Sequence, residues 1–156
     1  MQLVDVTLRD GGFTCDFDWP LEFAQEYYNL GVNCMELGYW KQTSKSKNRF
    51  FNLDMETVKQ ITGGQGKKNV CVMIDYHYCS KDLNDYPINN QNEIRMIRMT
   101  ARKDMINDAF DFALKLKKHT GLEIAFNIFN TTNYTDIELD TVLDKVLQSD
   151  FDVCFQ

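Results

Sequence analysis

The sequence predicts an α/β protein built on a parallel sheet, and three observations carry that expectation. Short runs rich in Val, Ile, Leu and Met begin at residues 3, 33, 70, 94, 122 and 151, at intervals of 30, 37, 24, 28 and 29. These runs are apolar at most positions rather than strictly alternating, the pattern of strands covered on both faces. Segments of helical period lie between them, and repeated strand–helix units of this length require crossovers onto a parallel sheet.

Taken in order, the expected strands are Leu3–Asp10 (LVDVTLRD), Asn33–Trp40 (NCMELGYW), Val70–Tyr76 (VCVMIDY), Ile94–Arg102 (IRMIRMTAR), Leu122–Asn130 (LEIAFNIFN) and Phe151–Gln156 (FDVCFQ). Leu21–Leu30 follows the first with apolar residues at helical spacing, and Gly31 stops it. Asp54–Ile61 is a short helix with Met55, Val58 and Ile61 on one side and Gly63-Gly64 behind it. His77–Asn92 is polar, contains Pro87 and shows no long period, so it reads as a loop with one helical turn. Lys103–His119 has the clearest stripe, including Ile106, Ala109, Phe110, Ala113 and Leu116, with lysines and His119 suited to its C-terminus and Gly121 beyond. Thr135-x-x-Glu138 reads as a capping box that opens a helix to about Gln148. The polar run Lys41–Asn48 is a loop whose lysines form a solvated face.

Composition narrows the function classes. A chain of 156 residues, 44% apolar and 26% charged, suits one globular domain with a core of its own. A net charge of -6 disfavours a general nucleic-acid binder. No run of eighteen apolar residues reads as a membrane span, and the N-terminus lacks the basic and apolar regions of a secretory signal. The five cysteines (Cys15, Cys34, Cys71, Cys79, Cys154) are odd in number and lack metal-ligand spacing. Reduced, buried thiols in a cytoplasmic protein are therefore expected. The glycine-rich phosphate loops and the nucleophile elbow are absent, so nucleotide and α/β-hydrolase readings lose their markers.

Chemistry in parallel sheets gathers at the carboxyl ends of the strands. Those ends carry Arg9-Asp10, Glu36, Asp75-Tyr76-His77, Arg98 with Arg102, and Asn127 with Asn130. A carboxylate in a buried strand needs a cation against its desolvation, either an arginine or a metal. Gly11-Gly12 after Arg9-Asp10 lets the backbone turn sharply towards a ligand. Each position also has a plain structural reading. Asp10 can cap the following loop, Glu36 can simply bridge to Arg9, Asp75 can be a turn residue, His77 can be solvated and His119 can end a helix. Two architectures remain open at this level, a doubly wound sheet and a (β/α)8 barrel, the latter needing roughly 250 residues.

Leu3–Phe13, LVDVTLRDGGF, resembles the first strand of the DRE-TIM metallolyase superfamily, which includes 4-hydroxy-2-oxovalerate aldolase, 3-hydroxy-3-methylglutaryl-CoA lyase and 2-isopropylmalate synthase. The resemblance continues in order through Met35–Tyr39, Met73–Tyr76 and the strand at Ile94-Arg95, and is nearest to the 4-hydroxy-2-oxovalerate aldolase-like proteins. It implies a (β/α)8 TIM barrel, of which this chain would form the N-terminal portion with about six strands. It further implies that Asp10 ligates a divalent metal, Mg²⁺ or Mn²⁺. Arg9 would stabilise the enolate oxygen of a small 2-oxo acid substrate, with Glu36 orienting Arg9 and with Asp75 and Asn127 beside the substrate.

Two departures qualify what the resemblance implies. The position of the aldolases' basic histidine is Phe13, and the superfamily's His-x-His metal pair has no counterpart, since His77 and His119 are the only histidines. The metal is therefore expected to be held weakly or not at all. The expected activity is carbon–carbon lyase chemistry of a longer parent, with this chain inactive by itself. The alternative is a non-catalytic barrel fragment serving as a structural or interaction module. Open sheet edges at Leu3–Asp10 and Phe151–Gln156 predict self-association, most simply as a dimer.

Overall fold

The computed structural model describes residues 3–15, 19–31, 34–41, 48–64, 70–89, 93–149 and 151–155. The central part of the Lys41–Asn48 run and the side chains of Phe13, Cys15 and Cys154 lie outside the described residues. Five parallel strands form one sheet: β1 (Met35–Tyr39), β2 (Val70–Asp75), β3 (Met96–Thr100), β4 (Glu123–Ile128) and β5 (Asp152–Phe155). Their order in the sheet is their order in the chain. A doubly wound sheet reverses its strand order at a switch point, and this one does not.

The helices are α1 (Thr7–Cys15), α2 (Leu21–Asn29), α3 (Met55–Thr62), α4 (Ile106–Thr120) and α5 (Asp136–Gln148). Four of them start and stop close to where local chemistry places them. The Asp54 carboxylate accepts from the Thr57 amide and caps α3. Left-handed Gly121 closes α4 behind Lys117, Lys118 and His119, and His119 is exposed there. The Thr135–Glu138 capping box is present, and Lys103 and the Thr135 amide together hold the Glu138 carboxyl down at about 2. The loop after β2 contains a short helical turn, Leu83–Asp85, as expected.

One expectation fails. Leu3–Asp10 is not a strand: only Asp5 pairs with the sheet, through a parallel bridge to Met35, and the chain then enters α1. The cause is local. The Asp5 amide donates to the Cys34 carbonyl at 2.8 Å and its carbonyl accepts from Glu36 at 2.7 Å. Its side chain then takes the Thr7 amide at 2.9 Å and the Tyr27 hydroxyl at 2.7 Å. An aspartate that caps the backbone two residues on turns the chain out of extended geometry. Burial pushes the Asp5 carboxyl up, but those hydrogen bonds outweigh it and the net shift is downward. The sheet thus has five strands where six were expected, and the open edge expected at Leu3–Asp10 is replaced by this bridge and helix.

The two sheet faces differ. One buries Met35, Leu37, Val72, Ile74, Ile97, Met99, Ile124 and Phe126 against Ala24 and Tyr28 of α2, Val58 and Ile61 of α3, Phe110, Ala113 and Leu116 of α4, and Val142 of α5. The other carries a small separate cluster, Cys34, Cys71, Met96 and Ala125, with Val4 against it. Among the described residues no helix is long and apolar enough to cross a membrane.

Candidate functional site

Beyond that small cluster, the second face becomes polar. Strand register places Glu36 beside Cys71, Met73 beside Arg98, and Thr100 beside Asn127. Side chains two apart on a strand share a face, so Glu36, Arg98, Thr100 and Asn127 all project to this side. Glu36 is fully buried, and each of its carboxylate oxygens meets a different guanidinium. Arg98 Nη1 donates to Oε2 at 2.6 Å, and Arg9 Nε donates to Oε1. Arg9 reaches across from α1 with its side chain 11% exposed, and its Nη1 also meets Asp10 Oδ1 at 2.6 Å. Burial pulls the Arg9 guanidinium down, yet the charge of Glu36 outweighs it and the net shift is upward. The result is a chain of charges, Asp10–Arg9–Glu36–Arg98, buried at the Arg98 end and open at Asp10, whose side chain is 51% exposed.

Tyr39 joins this group through a bulge. Glu36 pairs with Cys71 and Tyr39 with Met73, so three steps along β1 answer two along β2. The extra residue turns the Tyr39 ring to the polar face, where the Arg9 guanidinium carbon lies 5.4 Å from its centroid. Gly38 makes the bulge feasible, because a Cβ there would lie 2.1 Å from the Phe50 carbonyl oxygen. Burial raises the Tyr39 hydroxyl; Arg9 opposes that and Asp75 adds to it, leaving a net upward shift.

The expected site residues therefore divide. Arg9, Asp10 and Glu36 are brought together, although Arg9 and Asp10 stand on a helix rather than at a strand end. Asp75 ends β2 near enough to act on Tyr39, and its Oδ1 accepts the His77 amide at 2.9 Å, so it serves as a turn residue as well. Asn127 is buried on the same face, two residues beyond Ala125, the register partner of Arg98. His77 is exposed and packs edge-on against Tyr78. Gly11 faces the Trp19 ring, where a Cβ would come within 2.7 Å, so its small size serves that packing. Tyr39 was missed as a site residue, and Arg98 was named at a strand end without a role. An arginine inside an apolar strand demands a buried counter-charge, and a glycine inside a strand signals a bulge, so both had a readable sign.

A metal does not fit these residues by themselves. Asp10 is the expected ligand, and its Oδ1 is already paired with Arg9. Glu36 spends both oxygens on guanidiniums, and among the described residues no three His, Cys, Asp or Glu side chains converge. A divalent ion at Asp10 would need donors from outside this set.

The chain matches no protein-family model and no curated protein. It is similar in structure to the crystal structure of the N-terminal domain of a putative aldolase from Bacteroides vulgatus, with 21% sequence identity and a TM-score of 0.71. That similarity covers 99% of this chain but only 63% of the other, so the chain spans less than two thirds of the neighbour's length. At this identity the likeness establishes a shared α/β fold.

Proposed function

We propose that this chain is the N-terminal part of an aldolase-type (β/α)8 barrel of the DRE-TIM kind, whose parent activity is carbon–carbon lyase chemistry on a small 2-oxo acid. The observation that carries the reading is the Arg9 guanidinium, held by buried Glu36 at the polar end of a singly wound parallel sheet. Cleavage of a 4-hydroxy-2-oxo acid breaks the bond between carbons three and four and leaves its electron pair as an enolate. The charge settles on the oxygen at carbon two. A fixed guanidinium stabilises such an oxyanion without reorganising, and Glu36 is what fixes this one. Asp75 and Asn127 would bound the substrate on the same face, and Phe13, in the position of the aldolases' base, cannot take the hydroxyl proton. The chain alone is therefore expected to release no pyruvate above background in a coupled assay.

Ligand binding tests the reading without needing turnover. Oxalate, which mimics the enolate of pyruvate, should shift the Arg9 side-chain resonance at millimolar concentration, and Arg9→Met should abolish the effect. No shift at that resonance would favour the second reading, a non-catalytic structural module. One observation speaks for that module: Arg9 Nε and Nη1 are already satisfied by Glu36 and Asp10.

The proposed cofactor is a divalent metal, Mg²⁺ or Mn²⁺, completed by donors beyond the residues described. Calorimetric titration of this chain with Mn²⁺ should accordingly show millimolar or weaker affinity. Sub-micromolar binding that Asp10→Asn removes would contradict the incomplete donor set.

Self-association is proposed through the β5 side of the sheet. β5 is the last strand in the sheet order, and the helix before it exposes Leu143 by 36% and Leu147 by 81%. Unpaired strand edges beside apolar side chains favour a second copy. Sedimentation velocity should show a dimer that dissociates on dilution, and Leu147→Lys should shift it to monomer. A wild-type monomer across the micromolar range would remove this proposal.

A further inference from the structure

The loop that follows β2 carries a second group of reactive side chains, on the helix side of the sheet. The amides of Tyr78 and Cys79 both donate to the Asp75 carbonyl, at 3.0 and 2.8 Å. Farther on, the Tyr86 hydroxyl donates to the Ser80 carbonyl at 2.6 Å, and Ser80 Oγ meets Asp85 Oδ2 at 2.6 Å. These bonds fix Cys79, only 6% exposed, beneath Lys81. Lys81 lies at the surface, yet its ammonium folds back over the loop. Its nitrogen stands 4.0 Å from the Tyr76 ring centroid and 5.7 Å from that of Phe112. It donates to the Tyr76 carbonyl and to the Cys79 carbonyl at 3.2 Å, and it is 3.5 Å from Cys79 Sγ. The same lysine lines a solvent-open cavity of about 370 Å³ with Asp108, Asp111 and Lys115.

A sulfur and an amine nitrogen are thus held in contact by a tied loop, beside a cavity large enough to admit a small oxidant. We infer that Cys79 and Lys81 form a reversible sulfur–nitrogen crosslink when hydrogen peroxide enters that cavity. This modification site is independent of the lyase reading.

The chemistry balances. Peroxide oxidises the Cys79 thiol: the O–O bond breaks, one oxygen joins sulfur as the sulfenic acid, and the other leaves as water. The Lys81 ammonium gives one proton to solvent, and its lone pair attacks sulfur. The S–N bond forms as the S–O bond breaks, and the departing hydroxide takes a proton from nitrogen to become a second water. Sulfur has lost two electrons, peroxide has gained two, and the chain is lighter by two hydrogens. Two equivalents of a thiol reductant reverse the step, restoring thiol and amine and leaving as a disulfide. The crosslink also removes the Lys81 charge from a cavity wall of two acids and two lysines, which turns that wall net negative.

Tryptic digestion of the peroxide-treated full chain, read by tandem mass spectrometry, tests the inference. The expected product is a peptide spanning Cys79–Lys81 that is two hydrogens lighter and uncleaved after Lys81, with cleavage restored by dithiothreitol. Lys81→Gln and Cys79→Ser should each abolish it. Cleavage after Lys81 that peroxide leaves unchanged, or a Cys79 found only as thiol or sulfinic acid, would overturn the proposal. So would a two-hydrogen loss that persists in Lys81→Gln, since that would report a disulfide to another cysteine. The wild-type digest decides the question even if a variant fails to fold.

Discussion

Glu36→Ala should destabilise the chain by about 3–5 kcal/mol, the range for removing one side of a buried ion pair. Glu36 is wholly buried and answers two guanidiniums whose side chains are 11% and 7% exposed. Its loss takes from both guanidiniums the buried carboxylate they share, while Arg9 keeps its contact with Asp10 at the open end. Arg98→Met should cost less, because Glu36 then keeps Arg9 and gives up only its inner partner. The double variant Glu36→Met/Arg98→Met should lose less than the sum of its single changes, since it removes the charges that each single change strands. Urea unfolding followed by circular dichroism at neutral pH measures all of these. A loss below about 1 kcal/mol for Glu36→Ala, the scale of a surface pair, would mean that the guanidiniums reach water.

Gly38→Ala should cost about 3 kcal/mol and should also disturb the site. The added Cβ would stand 2.1 Å from the Phe50 carbonyl oxygen and 2.9 Å from the Phe50 Cα. That neighbour is backbone, in the Arg49–Phe51 turn capped by the Asn48 side chain, so it cannot yield as the tip of a side chain would. The bulge must open or the turn must leave the sheet. Either way the Tyr39 ring moves off Arg9 and away from Phe51, whose ring centroid lies 5.6 Å from it. The near-UV circular dichroism of the folded variant should therefore change along with its unfolding midpoint. A variant of wild-type stability and unchanged aromatic signal would show that the Phe50 carbonyl is not held there.

Most of the fold was legible because buried parallel strands and amphipathic helices write different periods into the sequence. Val70–Asp75 and Glu123–Ile128 read as strands from their runs, and Thr135 with Glu138 announced the start of α5. Leu3–Asp10 misled because Leu3, Val4, Val6 and Leu8 make it look like one more apolar run of the series. Leu8 is instead buried on α1 in the main core while Val4, ahead of the helix, packs against the small cluster, and periodicity over so short a span does not separate strand from helix. The Asp5 side chain decided the matter by capping the Thr7 amide. Of the candidate site, the Arg9–Glu36 contact was foreseeable from charge alone, since a buried carboxylate must find a cation.

By itself the sequence determined the class of fold, the order of all its helices but the first, and the need for a counter-charge at Glu36. These depend on local propensity and on the cost of burying charge, which short stretches of chain already contain. Only the tertiary structure decided that Glu36 takes two arginines, that one of them comes from sixty-two residues away on β3, and that a bulge carries Tyr39 to the same face. Those choices turn on strand register and on how the chain leaves Asp5. Register is set by the packing of whole faces, so no local pattern encodes that Arg98 meets Glu36 across the sheet.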